Sequence, residues 1–549
     1  MDSPMIIRTK GMLPAHSRAA VLVLCMLLLP TAAHANELTI ENDFSVTKNT
    51  ISGPGADNSS LTRGFRYANE WKVASLKQTG DKETSFQFTL KATNDRAIDS
   101  QTLSLTNFEF KSKNKTQTTM IGDVYNSFAD YSFSSAVKGF SYRYYDEEKK
   151  GPELTVTYGY MYPRWDNFWG GISQKVIERK VLGTRIRQDF SDTFWAGINF
   201  VHTKDNNRVT GTDDLWSGSN YTVDWEYRNP VDMAFHGESS FSQMTKNSTS
   251  DWGVTYSDSK HNGFAHKINM LKEGSPSRLE VEYEIVSPQF ETFVGSAIKD
   301  REKVKAKWRN KLNDNTSIRI NTLWFHDKVN DDSTAMNRTT NHSPEVGFIF
   351  KSPWGREDAF LDVGFRMDRR YGGVSGENTK DHHIIVNYQD KIGEFETDTN
   401  LIYTKYNTTY SDNTGNNRSH EFTYNTALSM RRETKNYILQ PAIYWGFWDA
   451  YNELVGKREK AYETSLGLGV NTKDSLLTSN IKVGQKHMVK ESGNANWFAN
   501  VTLEYKAPFL AKRNGKVYVK AFINDYKFDS ATNNNYRETS ITTGFTMAF

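Results

Sequence analysis

Cysteine occurs once in these 549 residues, at position 25. Everything after Cys25 is therefore without disulfides, thiol nucleophiles or cysteine-ligated metal. Proline, at 13, and glycine, at 36, are too few for a collagen-like chain or a low-complexity linker. Neither sign of charge prevails: 68 basic against 65 acidic residues gives +3, which argues against a nucleic-acid surface or a polybasic membrane patch. Past the N-terminal segment there is no apolar run long enough for a membrane helix. Nucleophile elbow, P-loop and His-Glu-x-x-His patterns are missing as well. His382-His383 is the one histidine pair, and neighbours on a strand point to opposite faces, so one metal cannot easily use both. Asp327, Asp331 and Asp332 could ligate Ca²⁺, but a solvated acidic loop explains them more simply. The expectation is a protein without catalytic residues, cofactor, resident metal or nucleic-acid partner.

What is abundant is aromatic. The chain has 27 Tyr, 32 Phe and 13 Trp, although only 37% of its residues are hydrophobic. A sheet with one face in lipid and the other in water would have this balance. The N-terminus reads as a secretory signal peptide of residues 1–35. Arg8, Lys10 and Arg18 precede the apolar stretch Ala19 to Leu29, and Ala33-His34-Ala35 offers the cleavage site. Its removal takes those three basic residues and Asp2, leaving 65 basic against 64 acidic and no cysteine.

Downstream the dominant signal is strict alternation. Tyr221, Val223, Trp225 and Tyr227 alternate with Thr222, Asp224, Glu226 and Arg228. Leu154 to Tyr162, Leu279 to Ile285 and Trp497 to Tyr505 repeat the pattern. These runs reach roughly nine to twelve residues, the length a tilted strand needs to cross a bilayer. Polar turns recur near Gly80, Asn114, Lys149, Asp192, Asn229 to Asp232, Gly274, Asp314, Trp354 to Glu357, Asp390, Arg432 to Lys435, Lys473-Asp474 and Asn514-Gly515. Between them lie longer polar stretches: Lys204 to Gly218, Asp327 to Asn341, Tyr371 to Asp381 and Asn407 to His420. Tight turns at one end and long loops at the other predict a single all-β domain over 36–549: an antiparallel up-and-down transmembrane barrel of about 26 strands, within 22 to 28. Thr245 to Asn262, with Trp252, Val254 and Tyr256, reads either as a strand or as part of a loop hairpin.

The last residues, Ser540 to Phe549, contain Thr542-x-Gly544-x-x-Met547-x-Phe549. This resembles the terminal signal of Gram-negative outer-membrane β-barrels, the porin-like class. The resemblance implies recognition by the barrel assembly machinery and an outer-membrane location with both termini periplasmic. It also implies that Phe545, Met547 and Phe549 face lipid. It names no particular family.

Two rows stand out for the lumen. Glu280, Glu282 and Glu284 form an acidic row, and Lys303, Lys305, Lys307 and Arg309 a basic one. They read as pore-lining groups that set a transverse field, or as a cross-strand ion-pair ladder. Asp362, Arg366 and Asp368 fit the same two readings. Gly122 to Gly139 is the least strand-like segment and reads as a constriction loop or as a packed surface loop. It is only faintly similar to fimbrial ushers, which are much longer and carry a mid-chain plug. A barrel this wide without a plug domain needs narrowing. A porin-like channel for solutes, narrowed by its own loops, is the leading expectation. The alternatives are a sheath filled by a periplasmic or surface partner, for electron transfer or export, and an adhesive barrel.

Overall fold

The computed structural model describes residues 37–549 except 147–150, 163, 166–175, 207–213, 250–254, 330–337, 373–375, 411–414, 490–493, 512 and 530. The expected signal peptide, Lys149, Trp252, Val254, Asp331 and Asp332 lie outside the described residues. The alternating segments form one sheet. Its strands are β1 (Glu37–Ser52), β2 (Gly64–Thr79), β3 (Lys82–Thr93), β4 (Leu103–Lys113), β5 (Gln117–Ser127), β6 (Ser134–Tyr144) and β7 (Glu153–Tyr160). They continue with β8 (Arg179–Ser191), β9 (Phe194–Asp205), β10 (Leu215–Asn229), β11 (Met233–Thr249), β12 (Thr255–Lys272) and β13 (Ser277–Val286). Then come β14 (Arg301–Lys311), β15 (Thr316–Asp327), β16 (Thr339–Lys351), β17 (Phe360–Gly372), β18 (Glu377–Ile392) and β19 (Phe395–Thr409). Strand β20 joins Asn417–Met430 to Arg432–Glu433, because both segments pair with the same neighbour across Arg431. The rest are β21 (Tyr437–Asn452), β22 (Lys457–Thr472), β23 (Leu477–Val489), β24 (Asn494–Tyr505), β25 (Lys516–Phe528) and β26 (Tyr536–Ala548).

Each strand pairs antiparallel with the next, and β1 pairs with β26 from Glu41↔Ala548 to Ser52↔Arg537. The sheet is thus a closed 26-stranded barrel of the outer-membrane type, with both described ends of the chain on the same rim. Closure is what removes exposed sheet edges. Leu182, Ile186, Ile198, Tyr221 and Val223 are exposed on the outer face, while Asn199, Asn220, Thr222 and Asp224 on the same hairpins are buried inside. Alternation puts one set out and the other in.

The expected turns are found at Gly80-Asp81, Asp192-Thr193 and Pro230–Asp232 among others, with two corrections. Arg432 and Glu433 belong to β20, so the turn there is Thr434–Asn436. Asp390 belongs to β18, and the turn lies at Gly393-Glu394. The strands also run further into the polar stretches than their composition indicates: Gly218, Asn341, Asp381 and His420 are all in strands. Polar residues on the inner face are compatible with pairing, so polarity alone does not end a strand. Thr245–Thr249 and Thr255–Asn262 extend β11 and β12, paired as far as Thr249↔Thr255.

Candidate functional site

The acidic and basic rows face one another directly. The β13–β14 register pairs Glu280 with Lys307, Glu282 with Lys305 and Glu284 with Lys303, on the face opposite the exposed Tyr283. Lys303 Nζ lies 2.7 Å from Glu282 and 2.5 Å from Glu284, and Glu280 lies 3.7 Å from Lys307 and 4.0 Å from Lys305. The rows therefore form a ladder inside the barrel. Arg309 sits opposite Arg278 and Arg319, beyond the acidic row. Along the same wall Arg319 bonds Glu345 at 2.9 Å and also Asp362. Arg366 and His383 both reach Asp368, at 3.0 Å each. His382 lies instead against the Phe365 ring, as alternation requires. No group of three metal-ligating side chains occurs among the described residues. Between the basic row and Arg366-Asp368 the wall forms a recess of ≈ 700 Å³.

Sequence reading missed the most distinctive part of the lumen. The connection 287–300, between β13 and β14, folds inward and crosses the inner wall. Phe290 reaches Gly263 on β12, whose Cα approaches the Phe290 backbone so closely that a Cβ there would lie 2.2 Å from its nitrogen. Glu291 N–H donates to Ser242 Oγ of β11 (3.0 Å), and Asn220 of β10 donates to the Glu291 carbonyl (2.8 Å). Val294 then joins Val124, Phe128, Phe133, Val137, Val181 and Val201 in a buried cluster.

The tip of the β5–β6 hairpin, 128–133, folds in to meet it. Ser134 N–H bonds the Val294 carbonyl and Ser296 N–H the Asp130 carbonyl, each at 2.6 Å. The Tyr131 and Phe290 rings meet edge-on at 5.9 Å. Glu238, 1% exposed on β11, accepts the N–H groups of Asp130 (2.9 Å) and Tyr131 (2.6 Å). Lys267 holds Asp130 at 2.7 Å. Together the two loops make a packed shelf over the inner wall from β5 to β13.

Gly122 to Gly139 is thus mostly strand, contrary to its composition, with only 128–133 as loop. Its aromatic tip is buried because it points into the barrel. Past Val294, the buried apolar side chains among the described residues are only Ala359, Ala461 and Ala507. The filling is one-sided.

Glu238→Ala leaves the N–H groups of Asp130 and Tyr131 without an acceptor, the buried Tyr131 group at a cost of about 1–3 kcal/mol. Hydrogen exchange at Asp130 and Tyr131 is expected to accelerate by orders of magnitude while the β10–β12 amides stay protected. Equal acceleration throughout would show that the loop is not held locally.

The terminal motif closes the barrel. Thr542 Oγ1 meets Thr47 Oγ1 at 2.7 Å, Phe545 packs on Phe44 at 5.8 Å, and Met547 pairs with Asn42. Phe549 exchanges backbone hydrogen bonds with Ile40 (2.8 and 3.2 Å) and has Arg513 over its ring.

No protein-family model matches the chain, and no curated protein does. Solved structures similar to it include the translocation pore of the P pilus usher PapC, at 8% identity, TM-score 0.37, covering 92% of this chain and 99% of that one. OccAB4 of Acinetobacter baumannii is 12% identical with TM-score 0.27, covering 94% and 99%. The FrpB iron transporter of Neisseria meningitidis is 9% identical with TM-score 0.39, covering 93% and 81%. These likenesses are too distant to add to the architecture drawn from the strand pairing itself.

Proposed function

We propose that the protein is an outer-membrane channel that narrows its own lumen and passes polar solutes along the wall the shelf leaves uncovered. The shelf of 128–133 and 287–300 carries this reading: a barrel of 26 strands is wide enough to need filling, and here the chain supplies part of it. The Glu280–Lys307 ladder and the Arg319, Arg366 and Asp368 groups are the surfaces a passing solute would meet. Lipid around the barrel, the barrel assembly machinery, a periplasmic position for the termini and a non-catalytic role belong to the same reading. A partner-filled sheath is the second reading, favoured by the lack of apolar fill beyond Val294 among the described residues.

Single-channel recording of the refolded mature chain in a planar bilayer separates the two. The channel reading expects discrete, stable open levels. Very wide or noisy currents, with a protein co-purifying from the native envelope, would favour the sheath instead. On a conducting channel, the triple substitution Lys303→Glu, Lys305→Glu and Lys307→Glu is expected to move the reversal potential in a salt gradient towards cation preference. An unchanged reversal potential would remove the ladder from the ion path.

A further inference from the structure

The barrel wall is not equally knitted all round. Strands β4 and β5 share only five register pairs, from Glu109↔Gly122 to Lys113↔Thr118, although each strand has 11 residues. Gly122 marks where they part. Its φ of +114° is a conformation that side chains disfavour, and it stands in a row with Gly139 and Gly159 on the next two strands. The backbones approach so closely along this row that a Cβ on Gly139 would fall 2.1 Å from the Tyr158 carbonyl oxygen. Beyond the row the β5–β6 hairpin leans into the lumen to reach the shelf, leaving Leu103–Phe108 of β4 without β5 as a ladder partner.

Side chains close this seam. Asp123 has the same outward parity as the exposed Ile121 and Tyr125, and Lys138 that of the exposed Phe140 and Tyr144. Even so, the two form a 2.5 Å ion pair whose lysine side chain is only 6% exposed. The cover is Trp165. Its indole N–H donates to Asp123 at 2.7 Å, its ring lies under Lys138 Nζ at 4.9 Å, and Phe108 meets it edge-on at 5.6 Å. The other Asp123 bond comes from the backbone N–H of Phe108, at 2.7 Å, in place of a strand partner. Arg164 is tied to Asp99 and Ser104 at 2.8 and 2.5 Å. Burial raises the Asp99 carboxyl, but hydrogen bonds from Gln101, Arg164 and Ser104 outweigh it and hold the group below its ordinary value, as a carboxylate.

We propose that this seam is a lateral portal between lumen and membrane, with Trp165 as its stopper and an acyl-chain amphiphile bearing an anionic head group as its ligand. A polar solute gains nothing from a slot opening onto hydrocarbon, because the lumen already offers it water. An acyl chain can replace the indole against Phe108, whose ring meets that of Phe86 at 5.9 Å. Lys138 and Arg164 border the slot, paired in the closed seam with Asp123 and Asp99, and an anionic head group would take the place of those carboxylates. Opening it breaks side-chain contacts and spares the backbone ladder, which in lipid is the costlier part to break. This route stands apart from the axial channel and from that channel's solute.

The test uses the full mature chain in phosphatidylethanolamine–phosphatidylglycerol vesicles with a diazirine-bearing palmitate, mapping photoadducts by peptide mass spectrometry. Trp165→Ala is expected to raise labelling severalfold at Met120, an inner-face residue packed against the shelf cluster. Labelling at the outward Ile198 should stay constant. Trp165→Phe keeps an aromatic stopper without the N–H donor and should fall between wild type and Trp165→Ala. Asp123→Asn should also raise the Met120 signal. Background labelling of Met120 in all three variants would make the seam a sealed wall and overturn the proposal. A parallel rise at Ile198 and Met120 would indicate general loosening and overturn it too. Conductance recorded on the same samples reports the axial channel separately.

Discussion

Excising Pro288–Lys299 and joining Ser287 to Asp300 through a short Gly-Ser turn is expected to raise single-channel conductance severalfold. Two things leave the lumen at once. The excised segment carries Phe290 and Val294, both fully buried against the inner wall, each stabilising the shelf by about 1.5–3 kcal/mol. Ser134 and Asp130 then lose their bonds to Val294 and Ser296. The barrel itself should survive, since β13 and β14 keep ten register pairs and the ion-pair ladder. Heat-modifiable migration on a gel is the check that it does. A folded variant with wild-type conductance would mean that the shelf lies outside the conducting path.

The second large effect concerns closure. Gly544 lies where β26 meets both β1 and β25. A Cβ added there would sit 2.5 Å from the Phe44 carbonyl oxygen and 2.5 Å from the Tyr518 ring. Tyr518 cannot swing away freely, because its hydroxyl donates to Asp43 at 2.9 Å. Gly544→Leu is therefore expected to abolish nearly all folded barrel, both on refolding in detergent and in cells, read as loss of the heat-modifiable band. Phe549→Ala should behave differently. It keeps the backbone bonds to Ile40 and loses only ring contacts, so refolding in detergent should be close to normal. If the terminal motif is read by the assembly machinery, the same variant should fail in cells. Equal behaviour of Phe549→Ala in both settings would count against that reading.

The barrel was legible because alternation and turn spacing are local signals. The Tyr221 to Tyr227 run alone shows which residues face out, and the turns near Gly80 and Asp192 set the hairpin length. The facing of the acidic row Glu280–Glu284 and the basic row from Lys303 to Lys307 was legible for the same reason, since consecutive strands usually lie side by side. The shelf was not. Val294 meets Val124 and Phe133 across more than 150 residues of sequence, and Glu238 carries no mark that separates it from other inward carboxylates. Aromatic content at 128–133 left a constriction loop and a packed surface loop both open, and could not choose between them. The bend itself did leave a trace in Gly122, Gly139 and Gly159, which only the strand register brings into a row.

The one-sided shelf also has a mechanical consequence. A thin cylinder braced over one arc is stiff there and flexes elsewhere, so lateral pressure from the bilayer would ovalise the unbraced arc, β14 through β26 and on to β4. Stress then gathers at the two borders of the brace. One border, β13–β14, is riveted by ten register pairs and the Glu280–Lys307 ladder. The other, β4–β5, holds five pairs and the Trp165 contacts. Membrane tension would therefore be focused on the more weakly fastened of the two joints.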